Sequence, residues 1–308
     1  MYKPTVIVIA GPTASGKTSL GIELAKRING EIISADSMQI YKDMNIGTAK
    51  PTKDETKDIK HYLIDFVSPD SRYSVATFKK DAESCIQKIL TQGKIPIVVG
   101  GTGLYIDSLV YGIEYPEIEY DDEYRKELME LAKTEEGLSV LYDEAKRIDK
   151  DAVEKISKND KKRIIRILEI YKSTGKTKTE IDLLSRKSVL KYNYKVFAID
   201  MDRDILYNRI NQRVEKMMDA GLIEEVKKLI SKYSRFPTAM QGLGYKEVVE
   251  YLNNEVSKEE MIDKIKQETR RYAKRQLTWF RKNKNIIWID GQENMNKNIS
   301  IIINELNT

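Results

Sequence analysis

Gly11-Pro12-Thr13-Ala14-Ser15-Gly16-Lys17-Thr18 fits the pattern G-x-x-x-x-G-K-[ST] at every fixed position. An apolar run, Thr5–Ala10, comes immediately before it, and Leu20, Ile22, Leu24, Ala25 and Ile28 follow at helical spacing. Strand, glycine loop and helix therefore come in the order that builds a phosphate cradle. Gly11 and Gly16 let the backbone turn its N–H groups inward, and a helix starting near Lys17 adds unpaired amides with a partial positive charge. Lys17 contributes a full charge, and the Thr18 hydroxyl suits a magnesium ion shared with the phosphates. The motif points to a polyphosphate ligand without saying which one.

Around this loop the chain reads as α/β. Five short runs, at 5–10, 31–35, 95–99, 195–199 and 286–289, are apolar on consecutive positions, as strands covered on both faces are. Helical patterns separate them, which predicts a P-loop-type, doubly wound parallel sheet with ligands at the carboxyl ends of its strands. Near 113–123 the composition shifts to acids, tyrosines and a proline (Glu114, Tyr115, Pro116, Glu117, Glu119, Asp121, Asp122). From 122 to about 187 the periodicity is wholly helical. The expected organisation is a core of 1–116 and 191–308 with an all-helical insertion at 117–190 able to move as a lid. The C-terminal region should be helical, over 204–231, 244–252 and 258–282, with Ser257 and Glu260 forming a capping box at the start of the last.

Cys85 is the only cysteine and His61 the only histidine, so disulfide frameworks, Cys/His zinc sites and Ser-His-Asp triads are excluded. Acid–base work falls to carboxylates, lysines or tyrosines. Without a membrane-span pattern or a leader, the chain is expected to be soluble and cytoplasmic. The formal charge of +5 is modest. Its distribution is not: 266–284 carries eight bases, Arg270, Lys274 and Arg281 among them, against the single acid Glu268. With Tyr272, Trp279 and Phe280 interleaved, that stripe suits a nucleic-acid backbone.

Four further groups carry chemistry. Asp36 ends an apolar strand in Asp36-Ser37-Met38-Gln39-Ile40-Tyr41, and is placed to be a magnesium ligand, a general base or a structural cap. Ser37 and Gln39 beside it have the hydrogen-bonding capacity of an adenine-edge reader. Gly100-Gly101-Thr102-Gly103-Leu104-Tyr105 is a second glycine loop ahead of a helix, either a tight turn or a site where Thr102 donates to a phosphate. Its strand does not end in the aspartate of an ATPase. Arg209 and Arg213 lie four apart on one helix face, to clamp a leaving anion or simply to be solvated. Asn159-Asp160-Lys161-Lys162-Arg163 is a polar, basic helix start within the insertion.

Taken together, these motifs resemble the bacterial tRNA dimethylallyltransferase (tRNA isopentenyltransferase) family. The matching pieces are residues 11–18, 36–41, Asn45-Ile46-Gly47-Thr48-Ala49-Lys50-Pro51, His61-Tyr62-Leu63-Ile64-Asp65, 100–105, and Ala273-Lys274-Arg275-Gln276-Leu277-Thr278-Trp279-Phe280-Arg281, in the family's order from end to end. The resemblance implies transfer of a dimethylallyl group from dimethylallyl diphosphate to N6 of adenosine 37 in tRNAs reading codons that begin with U. It implies that residues 11–18 hold the donor's diphosphate with Mg2+ on Thr18, that Asp36 is the general base, that Thr102 contacts the diphosphate or reacting group, and that Arg213 binds the leaving group beside Lys17. Contacts with the tRNA anticodon stem-loop are implied for Asp36, Ser37, Met38, Gln39, Thr102 and Arg125. They are implied also for Asp160, Lys161, Lys162, Arg163 and Ile164, and for Gln241, Gly242, Leu243, Gly244, Tyr245 and Lys246. The basic residues Arg270, Lys274 and Arg281 complete the expected RNA surface, and a monomer is implied. One cysteine leaves no place for the zinc finger of eukaryotic members.

The chemistry of the residues agrees with these roles. Adenine N6 is a poor nucleophile because its lone pair is delocalised, so a carboxylate that takes its proton is required. A departing diphosphate needs fixed positive groups. The alternatives are a P-loop phosphotransferase, a prenyltransferase acting on a free nucleotide, and a noncatalytic RNA-binding module.

Overall fold

The computed structural model describes residues 3–56, 58–115, 121–185 and 189–306. The chain divides into two compact units, Met1–Val110 with Leu190–Thr308, and Tyr111–Val189. The first division falls at Tyr111, ahead of the acidic stretch; residues 116–120 of that stretch and 186–188 at the far junction lie outside the described residues.

The first unit is built on six strands: β1 Thr5–Ala10, β2 Gly30–Ala35, β3 His61–Tyr62, β4 Ile95–Gly100, β5 Asn193–Asp200 and β6 Ile287–Asp290. Their order is β3-β2-β4-β1-β5-β6 and every pairing is parallel. Sequence reading gave five strands; β3 is the addition, and two residues are too few to show a period. In register, Ala35, Gly100, Ala10 and Ala198 stand in one row, so β2, β4 and β1 end flush while β5 runs two residues further, to Asp200.

Consecutive apolar residues in β1 are explained by burial on both faces. Val6, Val8 and Ala10 pack with Phe78, Ala82, Ile86 and Ile89 of the helix Val75–Thr91 and with Ile106 and Leu109 of the helix Gly103–Val110. Ile7 and Ile9 pack with Leu20, Leu24 and Ala25 of the helix Lys17–Ile28 and with Ile299 and Ile302 of the closing helix Met295–Leu306, which sequence reading did not anticipate. Each such valine, isoleucine or leucine contributes about 1.5–3 kcal/mol by leaving water.

This arrangement locates the site. β1 and β4 are neighbours, yet the helix after β1 covers one face and the helix after β4 covers the other. Adjacent strands whose connections part in this way leave a crevice at their carboxyl ends. The two glycine loops, after Ala10 and after Gly100, are its two lips.

A second core in this unit joins the segment after β2 (Ile40, Tyr41, Met44) to Val214, Leu222, Val226, Leu229, Tyr245, Val248, Met261 and Ile265. Its helices are Arg203–Asp219, Leu222–Lys232, Tyr245–Leu252 and Lys258–Phe280. The single helix expected over 204–231 is broken at Gly221, which takes φ 94°, a conformation that favours glycine. Ser257 and Glu260 form the expected capping box.

The second unit is helical: Asp122–Leu131, Glu135–Ile148, Lys150–Val153, Lys161–Thr174 and Lys178–Ser185. Leu128, Leu141, Ala145, Val153, Ile164, Ile165 and Leu168 form its core. Asp121, Thr134, Asp149 and Asp160 cap successive helices with their side chains, which fixes where each begins.

Candidate active site

The loop after β1 delivers the chain into its helix through Ala14 at φ 63° and Gly16 at φ 89°. The helix Lys17–Ile28 has no side-chain cap and no acid in its first turn, so its leading amides face the crevice unneutralised. Lys17 Nζ donates to the Pro12 carbonyl at 3.1 Å.

Asp36 stands at the end of β2. Its Oδ1 accepts from the Met38 N–H at 2.9 Å and the Gln39 N–H at 3.3 Å, so one oxygen fixes the turn while Oδ2 lies outside those bonds. Thr102 Oγ1 accepts from the Ser37 N–H at 3.0 Å and donates to Ser37 Oγ at 3.3 Å, tying the ends of β2 and β4 together. Gln39 lies at the crevice with its Nε2 donating to the carbonyls of Thr48 and Ala49, holding the loop that follows.

That loop is anchored from below by Glu225, a buried carboxylate that sequence reading passed over. It accepts from the backbone N–H groups of Asn45, Ile46 and Gly47 and from the Tyr245 hydroxyl at 2.6 Å. Tyr245 packs so closely on Gly47 that a β-carbon there would lie 2.4 Å from its ring. Burial, then the Glu225 charge, raise the Tyr245 phenol far above its ordinary range. The loop in turn presents the Thr48 carbonyl to Arg213 at 3.4 Å. Glu225→Ala is expected to cost about 1–3 kcal/mol by orphaning buried donors, read as a lower urea midpoint.

A cavity of 370 Å³ lies between these groups. Thr13, Lys17, Thr18, Asp36, Arg213 and Tyr272 are among its lining residues. A second cavity, of 560 Å³, is bounded by Gly16, Ser19, Ile22, Arg27, Pro51 and Met295. Lys17, Thr18, Ala49 and Arg213 line both, so the two cavities flank the charged centre of the site. Burial draws the Lys17 ammonium down to about 8; the Asp36 charge opposes this and Arg213 adds to it. Arg213 is lowered by burial too, with Asp36 opposing. Burial and the Asp36 charge push the Tyr272 phenol up to about 12, while the Thr102 side chain works the other way. Two desolvated cations beside one carboxylate make a site short of negative charge, as an anion-binding site should be.

The family model described as IPP transferase matches residues 39–283, and the one described as Isopentenyl transferase matches residues 4–71. The chain belongs to the IPP transferase family. It is 54% identical over 289 residues to a tRNA dimethylallyltransferase of Acetivibrio thermocellus, covering 94% of this chain and 92% of that one. To the tRNA dimethylallyltransferase of Carboxydothermus hydrogenoformans it is 48% identical over 301 residues, covering 97% and 96%. The crystal structure of the full-length tRNA isopentenylpyrophosphate transferase of Bacillus halodurans superposes with a TM-score of 0.73 at 42% identity, covering 99% of this chain and 96% of that one. A eukaryotic dimethylallyltransferase acting on tRNA gives 0.77 at 31% identity, covering 94% and 74%.

In this IPP transferase the crevice gathers Thr13, Lys17, Thr18, Asp36, Ser37, Met38, Gln39, Arg213, Gln241, Gly242, Leu243, Tyr245 and Lys246 around one cavity. Of the two helix arginines, Arg213 is there and Arg209 is exposed elsewhere. The Tyr245 side chain is fully buried, a packing group rather than a reader of RNA, and the same holds for Ile164 in the core of the second unit. Asp160 accepts from the Arg163 N–H, acting as a cap, and leaves Lys161, Lys162 and Arg163 exposed on the first turn. Arg125 pairs with Glu169 at 2.6 and 2.8 Å within that unit. The basic stripe is partly balanced, since Lys266 pairs with Glu215, Arg271 with Glu268 and Arg281 with Asp200. Arg270 donates to Asn211 at 2.7 Å, while Lys274 is exposed. No helix among the described residues is long and apolar enough to cross a membrane.

Proposed function

We propose that this chain transfers a dimethylallyl group from dimethylallyl diphosphate to N6 of adenosine 37 in tRNAs reading codons that begin with U, releasing diphosphate. The observation that carries the reading is the pair of cavities that share Lys17, Thr18, Ala49 and Arg213, with Asp36 on one side alone. The anion belongs at these shared residues, and the base to be deprotonated belongs on the Asp36 side. The adenine enters from that side and the donor from the other.

Asp36 accepts the N6–H and takes its proton as the N6–C1 bond forms and the C1–O bond of the donor breaks. The amides of Gly16, Lys17 and Thr18, the Lys17 ammonium and the Arg213 guanidinium receive the charge that develops on the leaving oxygens. Thr18 supplies a hard oxygen donor, but no group of three or more His, Cys, Asp or Glu suited to a metal occurs among the described residues. Magnesium would therefore take most of its ligands from diphosphate oxygens and water, the usual arrangement for that ion. When bound it adds positive charge to the leaving group.

Adenosine 37 must leave the anticodon stack, at a cost of a few kcal/mol. Lys161, Lys162 and Arg163, with Lys274 and the rest of the C-terminal stripe, offset this through phosphate contacts. Affinity for the anticodon stem-loop should thus weaken steeply with salt. The enzyme is read as a cytoplasmic monomer.

The test offers labelled dimethylallyl diphosphate and magnesium to three acceptors: an anticodon stem-loop with adenosine 37, the same RNA with guanosine there, and free AMP. Label on the adenosine RNA alone is the expected result. Label on AMP instead would sink the RNA assignment, and nucleoside triphosphate turnover without any labelled product would return the loop to a kinase-like role.

A further inference from the structure

The helix Lys258–Phe280 does more than carry positive charge. Three residues on one of its faces, spaced four and three apart, meet the second glycine loop one after another. Tyr272 lies beside Thr102, whose side chain holds down a phenol pKa that burial raises. Gln276 Nε2 donates to the Gly101 carbonyl at 2.8 Å. Trp279 lies over Gly103, where a β-carbon would come within 2.4 Å of the indole, and its Nε1 donates to Asp107 at 2.9 Å.

Gln276 alone of the three also reaches the first loop, where its Oε1 accepts from the Thr13 N–H at 2.9 Å. Its amide thus spans the crevice, donating to one lip and accepting from the other. It is 6% exposed, and the fit is close: a β-carbon at Gly101 would lie 2.2 Å from Gln276 Nε2 and 3.2 Å from the Gly11 carbonyl. The Thr13 N–H, committed to Gln276, is a structural amide of the loop, as is the Ser15 N–H, which donates to the Pro12 carbonyl at 3.3 Å.

We propose that Gln276 is a positioning residue of the transfer reaction, setting the separation of the two glycine loops and so aligning the donor's diphosphate with Asp36 and Thr102. The role rests on the transfer reading above. The donor is held by residues 11–18, and the proton acceptor by the turn that Thr102 ties to β4; Gln276 is a direct link between the two. Displacing one by about 1 Å relative to the other costs up to roughly 100-fold in rate. No single-atom contact with substrate is required of Gln276 itself.

Two variants separate this from ordinary packing. Gln276→Met keeps the volume and loses both bonds. Gln276→Glu keeps the acceptor for Thr13, but donates to Gly101 only while its carboxyl is protonated. Single-turnover transfer at saturating donor and RNA is expected to fall about 10- to 100-fold in Gln276→Met, with RNA affinity within about twofold of the unmodified enzyme. The thermal midpoint of Gln276→Met should fall by only a few degrees, from the unpaired Thr13 N–H and Gly101 carbonyl. In Gln276→Glu, the rate relative to the unmodified enzyme should recover as pH falls through the titration of the introduced carboxyl, a limb that packing alone would not create.

Unchanged single-turnover rates in both variants would overturn the role. So would a loss that tracks a lowered thermal midpoint and lost RNA affinity, because that pattern marks a scaffold. The unmodified enzyme, run in parallel, separates the two levels of the argument: if it transfers nothing to RNA, the proposed function fails and this role fails with it. If it transfers normally, the variants judge Gln276 alone.

Discussion

Asp36→Asn is expected to lower the transfer rate by about 10²- to 10⁴-fold while leaving RNA affinity and stability nearly unchanged. The substitution is informative because the two oxygens of Asp36 do different work. Oδ1 accepts from the Met38 and Gln39 amides, and an asparagine carbonyl can keep both bonds. What asparagine removes is the basicity of the carboxylate. Asp36→Ala removes the turn as well, and should add about 1 kcal/mol of destabilisation. Comparing the two by single-turnover rate and urea midpoint separates base from cap. Near-normal transfer by Asp36→Asn would show that the proton goes elsewhere.

Lys17→Met should lower kcat/KM for the donor by about 10²- to 10³-fold, since it deletes a fixed charge at the leaving oxygens. The same residue predicts a pH dependence. Its ammonium is drawn down to about 8 by burial, with Asp36 opposing and Arg213 reinforcing. A bound diphosphate favours the charged form, so the pKa in the complex lies above that of the unliganded enzyme. Donor affinity is then fully present below pH about 8, and weakens as pH rises past it toward the pKa of the complex, by up to about tenfold per pH unit. Diphosphate binding at pH 8 should take up protons, visible by calorimetry in buffers of different ionisation enthalpy. Lys17→Met should lose this limb, and a flat profile in the unmodified enzyme would show that Lys17 does not titrate there.

Much of the site was legible because its signals are local. The phosphate loop is eight contiguous residues, and the alternating burial of β1 on two faces follows from an unbroken apolar run. Asp36 announces itself by ending such a run. Gln276 does not, because its partner Thr13 is 263 residues away and a glutamine inside a basic helix carries no local mark of the bond. Glu225 is similar: it serves Asn45 from 180 residues away, and beside Glu224 in a helix it reads as solvated charge. The bonds of Gln39 to the Thr48 and Ala49 carbonyls were not legible either, since an amide able to read adenine is equally able to hold the backbone of a neighbouring loop. Two-residue β3 has no periodicity to detect. The break at Gly221 was marked by the residue itself, but glycine within an otherwise helical pattern is tolerated often enough to be read through.

The placing of two cavities on either side of Lys17 and Arg213 bears on how a catalytic cycle would end. A pocket with one mouth must discharge its products in a fixed sequence, the outer before the inner. Here the charged centre is reached from two sides, and the residues shared between them are four. In the proposed reaction the spent diphosphate departs by the entrance its donor used while the modified RNA still blocks the other. Turnover in that scheme is governed by whichever of the two products leaves more slowly.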